Sequence, residues 1–197
     1  MNSPSCISLN RSGILLCSLP AVVVTLLALS FVSCPANTLQ SVYDAAGPNG
    51  VYTRYIVLDR GTIYTGGLVI PDFDNVCIKG NGATVDLQTG MMIVQGGGAN
   101  LDIDHCVIKN GCLSGAGYTQ GALNFVGGHG NVLNNVILSS TIAIRIYGTG
   151  PGGVTVMNNI IVHNIVTGLL CQLGSEPLVS YCDVWANGAM NYLQDCG

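Results

Sequence analysis

The chain has 197 residues, 49% of them hydrophobic and 8% charged, with 27 glycines, and one domain accounts for that length once a targeting segment is set aside. Disorder is excluded, because disordered chains are poor in apolar residues and rich in charge. A net charge of −4 without any run of Lys or Arg argues against a nucleic-acid partner, since such binding rests on clustered cations that displace counterions from phosphate.

Residues 1–36 are a different material from the rest. A short polar start ends at Arg11, and Ile14 to Ser33 is then almost wholly apolar, the pattern of an export signal. A retained anchor is the alternative, since about 20 apolar residues can just span a bilayer, but Pro20 interrupts the run. Phe31-Val32-Ser33-Cys34 resembles a bacterial lipobox, with Phe where Leu is usual, and this makes Cys34 a lipidation candidate. Cleavage after Ser30 or Ala36 fits as well. On every one of these readings the remainder is secreted or held in the cell envelope, and it meets a membrane only through this segment.

Residues 37–60 carry few repeat features, and Val42 to Arg60 is expected to cap the amino-terminal end of the repeats. From residue 61 internal similarity takes over. Four segments share one pattern, a polar pair followed by apolar residues: Asp104-His105-Cys106-Val107-Ile108, Asn134-Asn135-Val136-Ile137-Leu138, Asn158-Asn159-Ile160-Ile161-Val162 and Ser180-Tyr181-Cys182-Asp183-Val184. Asn75-Val76-Cys77-Ile78-Lys79-Gly80 is an earlier, shorter relative. Cys106, Val136, Ile160 and Cys182 read as one inward row, with separations of 30, 24 and 22 residues. A second set of strands ends at or near Gly: Met91 to Gly96, Ala122 to Gly127, Ala143 to Gly148 and Leu169 to Gly174.

No apolar period of 3.6 residues is sustained after residue 36, so helices are not expected. Three short strands in each repeat describe an all-β parallel β-helix over 61–197, whose neighbouring rungs bury one another's apolar face. Asn tolerates left-handed backbone better than most residues, which suits the corners, and Asn135 should stack on Asn159 and share amide hydrogen bonds.

Asn75 to Asp86 (NVCIKGNGATVD) resembles the opening rung of bacterial right-handed parallel β-helix repeat proteins, which have the pectin-lyase-like fold. Ser180 to Tyr192 (SYCDVWANGAMNY) is similar to a rung of their surface members. The resemblance spans roughly residues 55 to 197 and implies a right-handed solenoid, here of about five rungs. It does not imply one chemistry, because the fold hosts lyases, hydrolases, adhesins and proteins without known activity.

Enzymes of the resembled fold act in a groove formed by one sheet and its flanking loops. The Gly-bounded strands are the candidate sheet. With Ile144 and Ile146 pointing inward, Arg145 and Tyr147 point out, flanked by Asn124 and Val126 on one side and Leu170 and Gln172 on the other. Asn124, Arg145, Tyr147 and Gln172 are therefore the candidate ligand contacts, and Arg145 is the weak catalytic candidate. Gly128-His129-Gly130 followed by Arg145-Ile146 resembles motifs of polygalacturonases, but that hydrolysis needs two or three carboxylates around the scissile bond and no Asp-Asp pair precedes the motif.

Asp102 and Asp104 alternate with Leu101 and Ile103, which turns both carboxylates to one face. They are weak candidates for Ca²⁺, which takes six to eight oxygen ligands. Aligning Val76 with Leu101 instead sets Lys79 over Asp104, and a cross-rung ion pair is the simpler account. Asp72 and Asp74 lie in a turn-forming stretch and are read as fixing backbone N–H groups. No cofactor is expected. Cys171 and Cys196 lie 25 residues apart, about one rung, and are the disulfide candidate, while Cys106 and Cys182 read as buried thiols.

These features lead to an exported, non-catalytic β-helix whose exposed Asn, Gln, Thr and Tyr rows contact polysaccharide. A polysaccharide lyase or glycoside hydrolase is the alternative, and a structural spacer without ligand is a further one. The chain stops at Gly197 where family members usually continue. Leu178, Cys182, Val184 and Leu193 are then expected to leave an apolar rung partly uncovered, favouring self-association there or a longer natural form.

Overall fold

The computed structural model describes residues 37–113 and 120–193. Signal-like residues 1–36, with Cys34, lie outside the described residues, as does Cys196. Eighteen short strands form three parallel sheets of six strands each. The first sheet contains β1 (Arg54–Val57), β4 (Asn75–Lys79), β7 (Asn100–Asp104), β10 (His129–Leu133), β13 (Pro151–Met157) and β16 (Glu176–Ser180). The second contains β2 (Ile63–Thr65), β5 (Thr84–Asp86), β8 (Val107–Lys109), β11 (Val136–Leu138), β14 (Ile160–Val162) and β17 (Asp183–Trp185). The third contains β3 (Leu68–Ile70), β6 (Met92–Gln95), β9 (Leu123–Val126), β12 (Ile142–Tyr147), β15 (Thr167–Gln172) and β18 (Met190–Leu193).

Every third strand thus pairs in parallel with the strand one turn away, giving a β-helix of six rungs. The expected five omitted the first rung, and the solenoid begins at Arg54 inside the segment read as cap. The core is built from stacked alternation. Leu101 and Ile103 in β7 point inward while Asn100, Asp102 and Asp104 remain partly accessible. Registered rows follow from it, such as Val85, Ile108, Ile137 and Ile161, all fully buried. Each buried side chain of this kind contributes roughly 1.5–3 kcal/mol of transfer free energy.

One helix departs from the all-strand expectation. Helix α1 (Leu39–Ala45) has seven residues, too few to show a helical period, and Thr38 caps it by accepting from the N–H of Ser41 at 3.0 Å. Arg54 occupies the inward row of Val76 and Leu101. Its guanidinium lies 4.3 Å from the Tyr43 ring centroid, donates to the carbonyl of Tyr43 at 2.9 Å and faces Asp74 at 3.5 Å. The Tyr43 hydroxyl also donates to Asp74. Asp74 therefore holds side chains, not the backbone N–H groups expected of it, whereas Asp72 does accept from the N–H of Phe73 and Gly98.

The corners between the first and second sheets divide the labour of the polar pair. The first member takes left-handed backbone: His105, Asn134, Asn158 and Tyr181 have φ of 53°, 57°, 56° and 53°. The second member turns inward. Asn135 accepts from the N–H of Cys106 at 2.9 Å, and Asn159 accepts from the N–H of Asn135 at 2.9 Å. The Asn159 amide also donates to the carbonyls of Val132 at 2.7 Å and Met157 at 3.0 Å.

Cys106 and Cys182 belong to this row and not to that of Val136 and Ile160. Val136 is registered with Val107 and Ile160, and Ile160 with Asp183. The Cys182 thiol donates to Val156 and Ser180 carbonyls at 3.4 Å each, the contacts an Asn amide makes one rung earlier. His105 correspondingly shares its position with Asn134 and Asn158. A second ladder joins the second and third sheets: Ser140 accepts from Gly111, Asn164 from Ser140 at 3.1 Å, and Asn187 from Asn164 at 3.0 Å.

Two cross-rung ion pairs decorate the outside. Lys79 meets Asp104 at 2.6 Å, as the alternation predicts, and Lys109 meets Asp86 at 3.3 Å. In the last described rung Leu178 is 56% exposed, while Cys182, Val184 and Leu193 are half-buried.

Replacing Asn159 with Ala strands the N–H of Asn135 and the carbonyls of Val132 and Met157, at about 1–3 kcal/mol for each group left unpaired. Asn159→Ala is expected to lower the urea midpoint strongly, and Asn158→Gly, which keeps the left-handed turn, to leave it nearly unchanged. Equal effects of the two would contradict the division of labour.

Burial raises the Asp86 carboxyl, but hydrogen bonds from Asn110, the Gln88 N–H and Lys109 outweigh it and hold the group below its usual 3.8. Its stabilising contribution is complete above that value and lost as pH falls through the lower folded one. Asp86→Asn is expected to flatten the acid limb of a melting-temperature profile without changing its alkaline limb.

Candidate functional site

The outer face of the third sheet is the candidate groove, and the strands place its residues in two rows. Arg145 is registered between Asn124 and Leu170, and Tyr147 between Val126 and Gln172. Alternation along β12 buries Ile142, Ile144 and Ile146 and leaves Arg145 and Tyr147 half-buried on the outside. The Arg145 guanidinium stacks over the Tyr147 ring at 4.7 Å from its centroid, and its Nε–H donates to Gln172 at 3.0 Å. Such stacking on an aromatic face is favoured by the planar guanidinium. Arg145, Tyr147 and Gln172 therefore form one contact patch.

Asn124 does not join them. It is 2% exposed, accepts from the N–H of Gly121 at 2.8 Å, and donates to the carbonyls of Gly121 at 2.6 Å and Met92 at 3.4 Å. It closes the turn entering β9, so outward pointing does not make it accessible. Leu170 is likewise 2% exposed.

The chemistry available on this face is limited. None of the six strands of the third sheet contains Asp, Glu, Lys or His, and Arg145 is their one ionisable cation. Guanidinium stays protonated in proteins, so it can orient an anion or hydroxyl but does not exchange protons near neutrality. His129 opens β10 in the first sheet, whereas Arg145 lies in the third, which separates the two halves of the polygalacturonase-like motif.

Asp102 and Asp104 do share a face. The hydroxyl of Tyr52 donates to Asp102 at 2.7 Å, and Asn131 donates to it through its amide at 2.7 Å and its backbone N–H at 3.1 Å. The bond to Asp102, reinforced by burial, raises the Tyr52 phenol well above its usual value, so the proton stays on tyrosine. Asp104 is engaged by Lys79 at 2.6 Å and lies 3.5 Å from His105. Ca²⁺ would have to displace these partners. Among the described residues no group of three or more His, Cys, Asp or Glu could hold a metal ion.

Cys171 is disulfide-bonded, and its proposed partner Cys196 lies outside the described residues. Cys77, Cys106, Cys112 and Cys182 are free thiols. Burial pushes the Cys106 thiol up to about 12, so it is a poor nucleophile.

The sequence reading did not single out a cleft of about 490 Å³ at the corner between the first and second sheets, lined by Arg60, Asn81, His105 and Asn134 among others. The signal that could have found it is the repeated residue ahead of each ladder position, which left-handed backbone turns outward.

A family model described as "Right handed beta helix region" matches residues 51–197. No curated protein and no solved structure matches the chain. The matched segment covers all eighteen strands of the three stacked sheets, and the chain belongs to the right-handed β-helix family.

Proposed function

We propose that this is an exported, non-catalytic β-helix protein that contacts envelope or extracellular polysaccharide through Arg145, Tyr147 and Gln172. The observation that carries the reading is the stacked Arg145–Tyr147 pair, tied to Gln172, on a sheet face without a carboxylate. An aromatic ring beside fixed hydrogen-bonding groups suits a sugar, whose faces are partly apolar and whose edges carry hydroxyls. Glycoside hydrolysis generally uses a pair of carboxylates, and the face offers none, which favours binding over turnover. The apolar stretch from Ile14 to Ser33 supports export.

A polysaccharide panel tests the reading, with binding and newly formed chain ends recorded together. The exported protein is expected to bind at least one polymer without depolymerising it. Tyr147→Ala and Arg145→Ala should each weaken binding about tenfold, in line with a lost stacking or cation–π contact of roughly 1 kcal/mol or more. Turnover abolished by Arg145→Ala would establish the lyase or hydrolase alternative. Binding to no polymer would leave the spacer.

A further inference from the structure

We infer that the cleft at the corner between the first and second sheets is a second glycan contact, selective for an oxyanion carried on the polymer and held by Arg60 and His105. The first observation is an accounting of cations. Among the described residues Arg54 is engaged by Asp74, Lys79 by Asp104 and Lys109 by Asp86, while Arg145 is tied to Gln172 and Tyr147. Arg60 alone among them makes no hydrogen bond, ion pair or ring contact. It is exposed and lines the cleft of about 490 Å³ with Asn81, His105 and Asn134. An unengaged guanidinium offers a planar fork of donors suited to carboxylate, sulfate or phosphate oxygens.

The second observation is the backbone at the corner. The left-handed position favours Asn or Gly, since most side chains are strained there. Asn81, Asn134 and Asn158 meet that preference, but His105 and Tyr181 adopt φ of 53° without being residues that the left-handed region favours. Hydrogen bonds from the N–H of His105 to Leu133, Asn134 to Met157 and Asn158 to Ser180 hold these residues one above another. From the third rung to the sixth the corner therefore presents one outward side chain per rung, at the inter-strand spacing of about 4.8 Å. His105 stands at one end of this row, at the cleft that Arg60 also lines, and Tyr181 at the other. Such a row suits an extended chain that carries both hydroxyls and charge.

Of the carboxylates nearby, Asp104 pairs with Lys79 at 2.6 Å and also lies 3.5 Å from His105, while Asp59 accepts from the Tyr64 hydroxyl at 3.4 Å. Neither pairs with Arg60, so its guanidinium is left to an external anion, with the His105 ring beside it. Only the glycan nature of the polymer is shared with the preceding reading, and the requirement for an oxyanion is independent of it.

Dextran and dextran sulfate share a backbone and differ in charge, so their comparison isolates the oxyanion, and polygalacturonate asks whether a carboxylate serves as well as a sulfate. Binding to the exported protein is measured at low and high salt. Dextran sulfate, polygalacturonate or both are expected to bind more tightly than dextran and to weaken as salt screens the contact. Arg60→Gln is expected to weaken that binding about tenfold. His105→Asn should weaken it while leaving the melting temperature unchanged or raised, because Asn occupies the same turn in the next two rungs. Arg145→Ala weakens the sheet-face contact with each polymer and should therefore leave the ratio of dextran sulfate to dextran affinity unchanged. A charge preference lost in Arg145→Ala but retained in Arg60→Gln would overturn this inference and spare the sheet-face reading. Equal binding of dextran and dextran sulfate, or an Arg60→Gln variant that binds both anionic polymers like the parent, would overturn it too. Failure of every polymer to bind would sink both.

Discussion

Each rung must turn corners without leaving buried backbone polar groups unpaired. Along the strands the parallel ladder meets this demand, but at a corner the chain changes sheet and its N–H and C=O groups lose their neighbours. An unpaired buried group costs about 1–3 kcal/mol, so the corners decide whether the stack holds. Asn135 and Asn159 answer at one corner and Ser140, Asn164 and Asn187 at another, each side chain standing in for a missing strand partner. Cys106 and Cys182 carry the first ladder onward with thiols, which reach the carbonyl two residues back as the Asn159 amide does. The outward row at the same corner follows from this arrangement. With one residue turned inward to pair the backbone, the residue before it is driven outward.

The same constraint acts at the exposed face of the first rung, where β1 and β2 have no strand on one side. The preceding chain supplies partners: the N–H of Tyr55 donates to Gly47 and that of Thr65 to Asn37, each at 2.9 Å. Helix α1 then lies against the rung, held through Arg54, Tyr43 and Asp74. The cation faces carbonyls of the helix's last turn, where the backbone dipoles favour positive charge.

Strand alternation was the legible part. Leu101 and Ile103 fixed the direction of Asp102 and Asp104, and aligning Val76 with Leu101 located Lys79 correctly. The same logic turned Arg145 and Tyr147 outward. It failed where two residue types do one job. Cys and Val are both apolar by composition, so Cys106 was matched to Val136, although its thiol does the work of an asparagine amide. It failed again at Asn124, because a position on the outer face says nothing about what lies over it. The first rung was hidden by Arg54, a charge where the repeat has Val76 and Leu101. The cleft was missed because each rung gives it only one to three residues, with Arg60 and Asn134 far apart in the chain.

The charged inward position of the first rung also gives the solenoid a direction. A repeat protein grows by adding units to an open face, and the faces of this stack are unequal. A further rung laid on β1 would have to displace α1, break the pairing of Tyr55 and Thr65, and bury the Arg54 guanidinium against an apolar row. Even beside Asp74 the guanidinium would lose its water and the carbonyls of α1, a desolvation cost that disfavours such an addition. No comparable charge stands inward in β16, β17 or β18, where Val179 and Val184 continue the apolar rows. Duplication or loss of rungs is therefore tolerable from the β16–β18 side and disfavoured from the β1 side, which makes this a molecule with a fixed foundation and an adjustable height.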